Sequence, residues 1–168
     1  EERFGRSLEM FARALKLTPN DPAIYIDRGL TYFAHKQYDR AVADLRKAIQ
    51  LDRDDAFAHF ALGLAYAQQG RYGQAISSYT RVIKLSSAYP TVYSYRGQAN
   101  FEAGKIQAAL DDLTMSIALN PKDASVFNAR SWVYYQLGDF NRALADAQQT
   151  IELEPMRPAY YLKRGLIY

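Results

Sequence analysis

The chain has 168 residues, 49% of them hydrophobic and 23% charged, with no cysteine and a net charge of +3. This composition excludes a disordered chain and all disulfide or thiol chemistry, and it leaves the compartment open. The charge is too small, and too evenly interspersed, to argue for nucleic acid. No apolar run approaches the ~18 residues of a membrane span.

The first predicted element is FGRSLEMFARALKL from Phe4, with apolar residues at helical spacing. TPND follows as a stop-and-restart signal, and then YIDRGLTYF opens a second helix at Tyr25. The pattern then repeats. HFALGLAYA at 59, YSYRGQANF at 93, FNARSWVYY at 127 and YLKRGLIY at 161 step along at 34-residue intervals. A second block recurs in the same register: YDRAVADLRKAIQL at 38, YGQAISSYTRVIKL at 72, IQAALDDLTMSIAL at 106 and FNRALADAQQTIEL at 140. Between the blocks, Gly70, Gly104 and Gly138 suit the left-handed residue that closes a helix, with Lys36 in that place in the first copy. The expectation is ten helices: one orphan, four pairs and a last orphan.

At this spacing the chain resembles the tetratricopeptide repeat family. With repeats numbered from Pro22, Ala56, Pro90, Ala124 and Pro158, the large position 4 holds Tyr25, Tyr93, Phe127 and Tyr161, with His59 the exception. The small position 8 holds Gly29, Gly63, Gly97, Ser131 and Gly165. Position 20 holds Ala41, Ala75, Ala109 and Ala143, and the late proline is matched by Pro19, Pro121 and Pro155 but not by Arg53 or Ser87. The resemblance implies an all-α, right-handed superhelical solenoid of antiparallel helix pairs. Its units are residues 1–21 (the second helix of a truncated repeat), repeats 22–55, 56–89, 90–123 and 124–157, and residues 158–168 (the first helix of another truncated repeat).

One pairing follows from comparing the repeats with each other. Position 7 is Arg28, Leu62, Arg96 and Arg130; position 23, on the partner helix, is Asp44, Ser78, Asp112 and Asp146. Wherever the first is Arg the second is Asp, and where it is Leu the Asp is gone. A guanidinium grips a carboxylate with two parallel hydrogen bonds. Structural ion pairs Arg28–Asp44, Arg96–Asp112 and Arg130–Asp146 are therefore expected within the helix pairs. Arg164 has no second helix in its own repeat and turns to Asp146 or to water. The glycines at position 8 are read as steric, since two helices must approach closely there.

No catalytic residue, cofactor motif or metal-ligand spacing is found. His59 stands at a core-facing aromatic position, His35 near a helix end, and neither has metal-site neighbours in sequence. Asn100 replaces a core Tyr and reads as a satisfied buried amide.

The family resemblance implies a groove lined by the first helix of each pair. The peptide-binding candidates are Ile26, Leu30 and Phe33; Phe57, Phe60 and Leu64; Ser94, Gln98 and Phe101; and Asn128, Trp132 and Tyr135. Some members grip a C-terminal carboxylate with cations at positions 5 and 9. Here Ile26, Leu30, Phe60, Leu64, Ser94 and Gln98 stand at those places, so that mode is not expected. The expected function is a non-catalytic scaffold binding a peptide segment or partner helix in a largely apolar groove. The alternatives are packing without a client, a self-assembling structural array, or the targeting region of a larger enzyme. Neither orphan helix is polar, so a longer array is expected, or head-to-tail association in which α-helical ends of two copies complete one repeat.

Overall fold

The computed structural model describes residues 2–86 and 89–168. Among the described residues there are ten α-helices and no strand. They fall into two compact units. The first holds α1 (Glu2–Leu17), α2 (Pro22–Ala34), α3 (Tyr38–Leu51), α4 (Ala56–Gln68) and α5 (Tyr72–Leu85). The second holds α6 (Pro90–Glu102), α7 (Ile106–Leu119), α8 (Ala124–Gln136), α9 (Phe140–Leu153) and α10 (Pro158–Ile167).

Local chemistry starts and stops these helices. Pro22, Pro90 and Pro158 stand in the first turn of their helices, where a missing N–H costs nothing. Asp21, Asp55, Asp123 and Asp139 cap α2, α4, α8 and α9 by accepting a backbone N–H. Four helices end in the same turn. Gln37, Arg71, Lys105 and Asp139 donate their N–H groups to the carbonyls of Tyr32, Tyr66, Asn100 and Tyr134, five residues back. That bond requires a left-handed residue just before it. Gly70, Gly104 and Gly138 supply it at φ of 70°, 74° and 75°, and Lys36 adopts it at 58°.

Each unit is a stack of antiparallel helix pairs: α2 with α3 and α4 with α5 in the first, α6 with α7 and α8 with α9 in the second. The alanines at position 20, Ala41, Ala75, Ala109 and Ala143, are all fully buried. Opposite them lie the small residues of the first helices. A Cβ at Gly29 or Gly97 would stand 3.0 Å from Leu45 or Leu113, and one at Gly63 would stand 2.5 Å from the buried Tyr79 ring. Close approach is therefore what those glycines provide, at a propensity cost of about 1 kcal/mol each. The helices at the ends are less enclosed. No residue of α1 is buried, although Phe4 stacks on His35 at 3.9 Å. In α10 only Tyr160 and Ile167 are buried.

Candidate functional site

Three guanidinium–carboxylate clasps hold the first helix of a pair to the second. Arg28 Nε and Nη2 each donate to Asp44 at 2.7 Å. Arg96 does the same to Asp112 at 2.9 and 2.6 Å, and Arg130 to Asp146 at 2.8 and 2.8 Å. All three carboxylates are buried. Each Arg also lies over the aromatic residue one turn back: Tyr25, Tyr93 and Phe127, at 5.6, 5.7 and 5.8 Å. The Asp44 and Asp146 hydrogen bonds hold Arg28 and Arg130 above the usual arginine range, outweighing burial, which acts the other way. Asn100 is buried and donates its amide to Asp112 at 2.9 Å, which accounts for an amide in a core-facing position. His59 reaches the carbonyl of Arg53 at 3.0 Å, as Tyr25 reaches that of Pro19. Arg164 Nη1 donates to Gln148 rather than to Asp146.

The groove candidates divide by exposure, taken unit by unit. In the first unit Ile26 is buried; Leu30, Phe33, Phe60 and Leu64 are half-buried. Phe60 leans on Tyr79 at 5.9 Å, and Phe57 is 55% exposed. In the second unit Ser94 is buried, its hydroxyl donating to the Thr91 carbonyl at 2.9 Å, so it offers a ligand little. Ile26 and Ser94 thus belong to the packing rather than to an open surface. Gln98 is exposed and Phe101 half-buried against α7 and α8. Trp132 is 39% exposed and stacks on Tyr135 at 5.2 Å, whose far side meets Phe140 at 5.8 Å. Beside this aromatic row a crevice runs between α8 and α10, bounded by Asn128, Trp132, Tyr160 and Lys163. Lys163 is not among the sequence-derived groove positions. It takes position 6 of an incomplete repeat, and only the stacking of α10 against α9 brings it to Asn128.

An open polar concavity of the first unit lies at the ends of its helix pairs, lined by Lys36, Asp39, Arg40, Gln69 and Arg71. Its side chains are mutually tied. Gln69 donates to Asp39 at 2.7 Å, Arg40 to Gln37 at 3.1 Å, and Arg71 to Gln74. Among the described residues no group of three or more His, Cys, Asp or Glu could hold a metal ion. None of the described helices is long and apolar enough to cross a membrane.

Stacked two-helix units with a small residue at one contact and a buried Arg–Asp clasp define a helical repeat of the protein-interaction class. The chain belongs to the tetratricopeptide repeat family: profiles described as TPR repeat match residues 29–70 and 64–104, and others described as tetratricopeptide repeat match 10–43 and 128–168. Among solved structures it is similar to MamA (28% identity, TM-score 0.81, 88% of this chain and 80% of that one). It is also similar in fold to YrrB, described as a TPR protein with an unusual peptide-binding site (20%, 0.78, 94% and 81%). A third is TTC0263, a thermophilic TPR protein of Thermus thermophilus (20%, 0.76, 99% and 91%). Comparison with curated protein sequences returned no match. The all-α repeat solenoid is thus the fold of the chain.

Proposed function

We propose that the protein is a non-catalytic scaffold that holds a peptide segment or partner helix on the faces of its first helices, with the Trp132 row of the second unit as the anchor point. The observation that carries this is the exposed indole itself. Trp132 is 39% exposed on a stack with Tyr135, beside a crevice that offers the Asn128 amide and the Lys163 ammonium. Aromatic area with a few polar groups at its edge is the make-up of interaction hot spots. Phe57, 55% exposed on α4, offers a comparable anchor in the first unit. YrrB, a fold neighbour, is described as having a peptide-binding site. An apolar segment carrying an acidic or amide group would suit the second-unit face, because Lys163 and Asn128 flank the aromatic row.

Trp132 is the one tryptophan of the chain, so its fluorescence reports on this face. Peptides selected by display against the protein should shift Trp132 emission on titration. They should lose at least tenfold in affinity in Trp132→Ala or Asn128→Ala variants of unchanged helical content. Selected peptides that bind these variants as well as the parent, with no change in emission, would refute the reading.

A further inference from the structure

Repeat position 19, in the first turn of the second helix, holds an arginine in two of the four pairs, and only one of these is neutralised. In α9 it is Arg142, which lies over the Tyr134 ring at 4.8 Å and is bound by the Asp139 carboxylate, three residues back, at 2.5 Å. In α3 it is Arg40, which lies over the Tyr32 ring at 5.6 Å in the same way. Here the carboxylate is replaced by the Gln37 amide. Its oxygen accepts from Arg40 Nη1 at 3.1 Å and orients the guanidinium without cancelling its charge. The next pair goes a step further, because its residue at the place of Gln37 and Asp139 is a second cation, Arg71. Arg71 lies over the buried Tyr66 ring at 5.0 Å and is held by amide oxygens, those of Gln74 at 2.5 Å and Gln69 at 3.3 Å. Arg40, Arg71 and the exposed Lys36 line one open concavity of about 690 Å³. Among the described residues none of the three has a carboxylate within ion-pair distance. The one acid of the concavity, Asp39, accepts from the Gln69 amide at 2.7 Å. Both helix pairs that form it are complete.

Cations held in place by neutral oxygens and aromatic faces are preorganised, so an anion that binds there has little ordering to offset. The chain itself shows the group that completes the arrangement, because in α9 it is a carboxylate. A single compact oxyanion is the poorer complement. The concavity spans two helix pairs, and Asp39 stands among its cations. A concentrated dianion is repelled there, whereas carboxylates spaced along a chain pass to either side. We propose that this edge of the first unit is a docking site for an extended acidic segment of a partner protein. One aspartate or glutamate of that segment takes the place at Arg40 that Asp139 takes at Arg142, and another reaches Arg71 and Lys36. Three cations against one acid supply the charge complementarity. The site shares no residue with the Trp132 face.

The test uses the 168-residue chain and a fluorescent peptide, Gly-Ser-Asp-Glu-Asp-Glu-Asp-Gly-Ser, beside a control in which every Asp is Asn and every Glu is Gln. At about 50 mM salt, where surface charges are weakly screened, polarisation should rise saturably with the acidic peptide and not with the control. Arg40→Gln and Arg71→Gln should each weaken binding at least tenfold. Gln37→Asp should do the same with both arginines in place and helical content unchanged, because it rebuilds the Asp139–Arg142 pair at the start of α3. Arg46→Gln removes an equal charge from an exposed site of α3 outside the concavity, and should leave affinity within about twofold. Trp132→Ala should leave it unchanged, so that this site and the proposed first-helix face stand or fail separately. The proposal is overturned by the absence of a saturable rise, by a loss in Arg46→Gln as large as in Arg40→Gln, or by binding that survives Gln37→Asp. Displacement of the peptide by inorganic phosphate at equal molarity also overturns it, because a small anion would then be the occupant.

Discussion

The clasp between Arg130 and Asp146 sets how strongly α8 holds to α9, and replacing Asp146 with Ala measures it. The pair is the most enclosed of the three: the side chains are 16% and 9% exposed, and two bonds of 2.8 Å join them. A guanidinium is not deprotonated in a protein, so Arg130 keeps its charge when the carboxylate goes. Removing one partner of a buried pair costs ~3–5 kcal/mol. The hydrogen bond from Arg130 to Thr114 and the contacts with Phe127 and Tyr134 remain to shelter the guanidinium. Partial access of water to Arg130 relieves the penalty further, which places the expected loss at the lower end, about 3 kcal/mol. That is roughly a hundredfold in the local folding equilibrium. The chain contains its own control, because Leu62 and Ser78 occupy the equivalent positions in α4 and α5. The double variant Arg130→Leu/Asp146→Ser should therefore return to within about 1 kcal/mol of the parent. Urea titrations read by Trp132 fluorescence, which reports on α8 itself, and by circular dichroism give both values. A loss under about 1 kcal/mol for Asp146→Ala, or a double variant as unstable as the single one, would refute the assignment of the clasp as a buried, matched pair.

Other expectations follow from contacts and backbone angles. Gly63→Ala places a Cβ 2.5 Å from the fully buried Tyr79 ring and should cost about 1–3 kcal/mol in urea unfolding. Lys36→Gly relieves the one non-glycine left-handed residue of the described chain, at φ 58°, and should raise the unfolding midpoint by about 0.5–1 kcal/mol equivalent. The α9 cap titrates in a defined direction. Asp139 accepts the Arg142 backbone N–H and then its guanidinium, and both hold the carboxyl below the ordinary aspartate range. Its contribution is therefore fully present above the unfolded aspartate value and is lost as pH falls through the lower folded one. Amide exchange at the start of α9 should accelerate in that acid window and lose this dependence in Asp139→Asn, which keeps a capping oxygen.

The helices, their turns and the pairing of Arg with Asp were legible because each depends on residues at fixed sequence separation. A helix face repeats every three or four residues, a left-handed turn residue sits two places after the last residue of a helix, and a clasp joins positions sixteen apart in every repeat that has it. The groove was less legible because exposure depends on what packs from the next repeat. Ile26 and Trp132 occupy groove positions of equal standing by number, yet one is buried and the other 39% exposed. Ser94 turned inward because its hydroxyl finds the Thr91 carbonyl within its own helix. Lys163 was hidden for the opposite reason: its neighbour Asn128 lies thirty-five residues away and meets it only through stacking.

These two kinds of position divide the work of the repeat. A buried ion pair is weak evidence of net stability, because desolvation offsets most of the attraction, but a mismatched one is strongly unfavourable. Within this chain that asymmetry acts on partner choice. A first helix bearing Arg accepts a second helix bearing Asp and is penalised against one bearing Met or Leu, so each pair closes on its own partner rather than on a neighbour of similar shape. Positions 2, 9 and 12 carry no such pairing constraint, and Phe57, Trp132 and Phe101 have no matching residue in most other repeats, whereas the clasp positions change only together, as Leu62 with Ser78.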